Sequence, residues 1–145
     1  MDLSNKGFAQ AGALVVGAVY AAAGVIGFFI TGFGNFVQNT DDALLGFAIN
    51  PFHNVVHLAI GIYLIIVSQV SRPVTEGALI GGGLVYLLAT FLGFANSLQI
   101  ISMNGAGELD NVLHLVSGSA ALGLGLLSVA RNAGAERTGE PLRQR

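Results

Sequence analysis

Apolar side chains run through this chain in four long blocks, separated by short polar stretches. The blocks extend from Phe8 to about Phe33, from Pro51 to about Val70, from Gly77 to about Ala95 and from Asn111 to about Ala130. A bilayer-spanning helix needs about 20 mainly apolar residues. Each block meets that length, and the pattern predicts four membrane-spanning helices. Local chemistry marks their ends. Asn50 followed by Pro51 is a cap donor ahead of the residue favoured at a first helical position. Ser71-Arg72-Pro73 stops the second span and is expected to make a short turn into the third. Asp110 and Asn111 are the expected caps of the fourth.

The polar residues inside the blocks repeat. HNVVHLAIG begins at His53 and DNVLHLVSG at Asp110, which pairs His53 with Asp110, Asn54 with Asn111, His57 with His114 and Gly61 with Gly118. Tyr20 with Gly27-Phe28 in the first span likewise matches Tyr86 with Gly93-Phe94 in the third. Two tandem two-helix units give parallel repeats related by an axis along the membrane normal. The expected architecture is therefore an all-α, integral membrane four-helix bundle, with repeat one at about 8–71 and repeat two at about 77–130. Residues 1–7 precede it and 131–145 form a polar, mobile tail.

Small residues recur at fourfold spacing in three places: Ala13, Gly17 and Ala21; Gly77 and Gly81; Ser117, Ala121 and Gly125. In lipid, such stripes let helix backbones approach closely. They are expected to pack inside the bundle rather than between copies.

Charge adds orientation. The chain has six basic and eight acidic residues among 145, a balance that gives no reason to expect nucleic-acid binding. Lys6, Arg72, Arg131, Arg137, Arg143 and Arg145 all fall at the N-terminus, the 2–3 turn or the C-terminal tail. The 1–2 and 3–4 loops carry only Asp41, Asp42 and Glu108. Basic residues gather on the cytoplasmic side, which places both termini there. No charge is expected inside the spans, and the 1–2 loop reads as a solvated connection. No signal peptide is expected either, since the start is not net basic and the first apolar run is too long. The absence of cysteine removes disulfides, thiolate ligands and iron–sulfur clusters.

Chemistry concentrates in the repeated motifs. His53 and His57 are one helical turn apart, as are Asp110 and His114, so each pair shares a face. Convergence of the two faces would assemble three imidazoles and a carboxylate, a ligand set suited to a transition-metal ion. Asn54 and Asn111 sit one position off, placed either to orient the ligands or to cap and bridge helices. Haem b is the alternative cofactor, with His57 and His114 as axial ligands and Gly61 and Gly118 leaving room one turn deeper. Against it stand an unused Asp110 and an outer side without Arg or Lys to pair with propionates. The plainest alternative is hydrogen bonding between helix ends. No serine lies in a nucleophile motif and Gly81-Gly82-Gly83 is no phosphate loop, so catalysis is not expected.

The motifs N-P-x-H-N-x-x-H-L-x-x-G, from Asn50 to Gly61, and D-N-x-x-H-L-x-x-G, from Asp110 to Gly118, resemble those of a family of small four-helix bacterial integral membrane proteins. That family is classed as a domain of unknown function, and the likeness covers about residues 10–130. The resemblance implies fold, topology and a bacterial plasma-membrane location, but no reaction. The expectation is a non-catalytic membrane protein with a His53/His57/Asp110/His114 metal site near the outer face. An accessory or scaffold subunit of a larger membrane complex and a bis-histidine haem protein are the alternatives. The lipid bilayer is the expected surrounding, with a homo-oligomer or a larger complex as further partners. The basic-residue pattern makes one direct prediction: a tag fused after Arg145 stays protected from protease added outside intact cells, and external cleavage would reverse the orientation.

Overall fold

Long uncharged apolar runs leave a backbone no way to satisfy its hydrogen bonds in lipid except along a helix. A computed structural model describes residues 7–138, and four helices carry most of them: α1 (Phe8–Thr31), α2 (Pro51–Val70), α3 (Arg72–Phe94) and α4 (Leu109–Thr138). Each is long and apolar enough to cross a membrane, so the fold is an all-α membrane four-helix bundle. Residues 1–6, with Lys6, and 139–145, with Arg143 and Arg145, lie outside the described residues.

Three boundaries differ from the sequence reading. Ser71 alone separates α2 from α3, and Arg72 and Pro73 belong to the first turn of α3. Proline is tolerated there because a first-turn N–H has no helical partner to lose. α4 opens at Leu109, so Asp110 and Asn111 lie inside its first turn rather than capping it. It also continues through Thr138, well past the apolar run, and the expected tail is helical over 131–138. The Asn50 cap is as expected: its side chain accepts from the His53 N–H at 2.8 Å.

The bundle is built from two hairpins. α1 packs along α2 and α3 along α4, whereas contacts between the hairpins are sparser. Among the described residues, no Cα of α2 comes within 8 Å of a Cα of α4, so these two helices face each other across the bundle. Glycines set the spacing within each hairpin. A Cβ on Gly61 would overlap the Ala21 backbone nitrogen and sit 2.7 Å from the Gly17 carbonyl oxygen. Its counterpart interface behaves alike: a Cβ on Gly83 would lie 2.6 Å from the Leu122 nitrogen and 2.8 Å from the Gly118 carbonyl oxygen. The repeated residues thus make repeated contacts.

Two of the small-residue stripes pack as expected. Ala13 is fully buried beside Gly17, and Gly125 lies against the backbone of Glu76 and Ile80. Gly77 and Gly81 do not, since a Cβ on either would meet nothing within 4 Å. Glu76, one residue ahead of the expected third span, is buried within α3. Its carboxylate accepts hydrogen bonds from Ser128 Oγ at 2.7 Å and Asn132 Nδ2 at 2.8 Å, with Arg72 3.6 Å away. A buried carboxylate is tolerable when paired and hydrogen-bonded in this way, and the arrangement ties α3 to α4.

At the opposite end, the connections fold over the bundle rather than trailing into solvent. The 1–2 loop forms a small hairpin, β1 (Ala43–Leu44) with β2 (Phe47–Ala48). The 3–4 loop contains a short 3-10 turn (Gln99–Ile101) and a bridge from Leu98 to Met103. Ile49 and Met103, one from each loop, are buried.

Close approach at glycine predicts a contrast between two substitutions. Gly61→Ala must push α1 from α2 and is expected to cost about 1–3 kcal/mol, as overpacking does. Gly81→Ala meets open space and is expected to leave stability unchanged or raised. Thermal unfolding midpoints of the two variants in detergent micelles provide the check.

Candidate metal centre

Asn50 organises the mouth of α2. While its Oδ1 accepts from His53 N–H, its Nδ2 donates to the Ile100 carbonyl at 3.0 Å and lies 3.3 Å from that of Gln38. One buried side chain therefore fixes the helix start and holds the 1–2 and 3–4 loops above it. Directly below, His53 and His57 project from one face of α2, their ring centroids 4.4 Å apart and edge to face. His114 reaches across from α4, its ring 6.4 Å from that of His53. All three are buried, and one nitrogen from each lies within 4.8 Å of the other two. Imidazoles thus cross the gap that the α2 and α4 backbones leave open.

His53 Nδ1 lies 3.2 Å from the Ala48 carbonyl oxygen. A carbonyl only accepts, so the tautomer with its hydrogen on Nδ1 would donate to Ala48 and leave Nε2 its lone pair. That Nε2 is buried and has no hydrogen-bond partner among the described residues, nor have His57 Nε2 and His114 Nδ1. Buried polar atoms are normally paired, because leaving one without a partner costs about 1–3 kcal/mol. Each of the three clustered histidines has one such nitrogen.

Tyrosines from the other two helices close the set. Tyr20 of α1 stands edge-on to His57 at 5.1 Å, and Tyr86 of α3 stands edge-on to His114 at the same 5.1 Å. Tyr20 and Tyr86 also meet each other at 5.7 Å. The two Tyr–His pairs come from matched positions of the repeat.

The remaining sequence candidates separate by role. Asp110 is fully buried in the first turn of α4, but its carboxylate is not among the three groups in mutual reach. Neither of its oxygens has a hydrogen-bond partner among the described residues. Asn54 donates to Thr31 Oγ1 at 2.9 Å, and its amide lies where a Gly27 side chain would be. Asn111 donates to the Gly105 carbonyl at 2.9 Å and fills the corresponding space at Gly93. Both asparagines brace helix against helix or loop, the second of their two expected roles. Tyr20 and Tyr86 entered the sequence reading only as repeat markers, although their matched positions already carried the signal. The Ala48 carbonyl had none, because a backbone partner depends on how the loop folds.

A family model described as "Domain of unknown function (DUF4383)" matches residues 10–127, which takes in both hairpins and all three histidines. No curated protein and no solved structure matches the chain.

The Ala48 contact makes a spectroscopic prediction. Nitrogen-15 spectra of histidine-labelled, metal-free protein in micelles should show His53 protonated at Nδ1 and bare at Nε2. The opposite tautomer would remove the lone pair from the cluster.

Proposed function

We propose that this chain, which belongs to the DUF4383 family, is a non-catalytic membrane protein that holds a first-row transition-metal ion through His53, His57 and His114. The observation that carries this reading is the convergence of three buried imidazoles, with the Ala48 carbonyl 3.2 Å from His53 Nδ1 and so placed to accept its hydrogen when Nε2 ligates. A ligating histidine commonly donates its other ring N–H to a carbonyl in this way. The span of the nitrogens also suits an ion. Zinc–nitrogen bonds of about 2.1 Å place tetrahedral ligands roughly 3.4 Å apart, so rings now within 4.8 Å need to close by about an ångström. Zinc and copper both fit an imidazole donor set.

Three neutral imidazoles leave the charge of a divalent ion uncompensated in a low-dielectric bundle. Asp110, buried one turn before His114, supplies a counter-charge without being a ligand. The haem reading is less well supported. Rings of His53, Tyr20 and Tyr86 already surround His57 and His114 at centroid distances of 4.4 to 6.4 Å, and a macrocycle would have to displace them. The basic residues favour termini in the cytoplasm, which puts the histidines and their covering loops at the outer face of a bacterial plasma membrane. A scaffold role in a larger complex stays the second reading, in which the histidines only join helix ends.

Elemental mass spectrometry of detergent-purified protein tests the proposal. Near-stoichiometric metal is expected in the wild type and none in a His57→Ala/His114→Ala double variant. Asp110→Asn, which keeps the shape but removes the charge, is expected to weaken binding by about tenfold, at the low end for groups outside the ligand set. Wild-type protein that takes up no metal from adequately supplied cells would leave the scaffold reading in its place.

A further inference from the structure

Below the tyrosine pair the bundle contains a cavity of about 310 Å³. Tyr20 and Tyr86 form its outer end, and the wall of α3 from Gly77 through Gly81 and Gly82 forms its length. At none of these three glycines would a Cβ meet another atom within 4 Å, so the hollow exists because α3 has no side chains there. From Gly77 to Tyr86 a helix rises about 13 Å, so the hollow is elongated along α3. An elongated apolar hollow suits an extended hydrocarbon chain. No charged residue lines it.

The same hollow is continuous with the membrane-facing surface. Tyr63 of α2 and Val85 of α3 both line it, yet they are 52 % and 61 % exposed on the outside of the bundle. The cavity therefore opens sideways, between α2 and α3, onto the surface where lipid tails already lie. An apolar void in contact with hydrocarbon forfeits dispersion contacts until hydrocarbon fills it. We infer that this cavity is a lipid site, occupied by one acyl chain of a bilayer phospholipid that enters between α2 and α3 and ends beneath Tyr20 and Tyr86.

Native mass spectrometry of the full chain, released gently from detergent, reads the occupant directly. Wild-type protein should carry near-stoichiometric phospholipid, identified by its mass and by fragmentation. Gly82→Phe puts a ring into the hollow from its own wall and should reduce the retained phospholipid about tenfold, equivalent to about 1.4 kcal/mol of lost binding. Gly82→Leu, a smaller filler, serves if the phenylalanine variant lacks wild-type helicity by circular dichroism. Gly123→Phe in α4 points into open space away from the cavity and should retain lipid as the wild type does. Wild-type protein free of phospholipid would overturn the inference, as would folded filling variants that keep it in full. A wild-type dimer that the Gly82 variants dissociate would also overturn it and assign the hollow to a second copy.

Discussion

Backbone contact at glycine is the constraint from which this structure follows. Lipid tails are as apolar as the helices, so burying leucine drives nothing, and association depends on how closely main chains can meet. Gly17 against Gly61, and Gly83 against Gly118, bring each pair of helices to distances that a single methyl group would prevent. Two tight hairpins result. Their mutual contact is looser, which leaves α2 and α4 apart and gives the histidines a space to cross.

What fills that space is polar matter that the bilayer cannot solvate. Asn50 uses its whole amide, accepting from the α2 backbone and donating to carbonyls of the 1–2 and 3–4 loops. It thereby couples the helix that carries His53 and His57 to the cover above them. The 1–2 loop also supplies the Ala48 carbonyl that faces His53 Nδ1. Helix start, cover and ring orientation are consequently one unit, and a ligand on these imidazoles would sit in a low-dielectric interior where its charge is felt strongly. At the far end of the second hairpin, Glu76 with Ser128 and Asn132 is a second polar clasp, satisfied within the protein.

Much of this was readable from the sequence. Uninterrupted apolar runs between polar breaks located the four spans, and the α2 boundaries agree at both ends because Asn50-Pro51 and Ser71 are strong local signals. Where polarity and helicity part company, the reading stopped short: Arg72 to Glu76 and 131–138 are polar in places yet helical. Glu76 escaped notice because its hydrogen-bond partners lie 52 and 56 residues further along the chain. Gly77 and Gly81 show the limit of spacing arguments, since a small-residue stripe looks identical whether it meets a helix or a void. The histidine triad was legible through the repeat, and whether Asp110 joins it was not, because a side chain's reach across the bundle depends on helix packing that no local pattern encodes. The covering loops are held by long-range contacts such as Asn50 to Ile100, which no local pattern encodes.

Internal duplication is visible in this bundle as matched tyrosines, glycines, asparagines and histidines, and it is broken at a chemically telling place: His53 stands where the other half has Asp110. Two identical hairpins assembled as a symmetric dimer can present side chains only in even numbers. Joining them in a single polypeptide frees each half to diverge, so that three imidazoles can face a site with one acid beside it. An odd donor count is thus something that gene fusion makes available and that self-association of an ancestral hairpin could not encode.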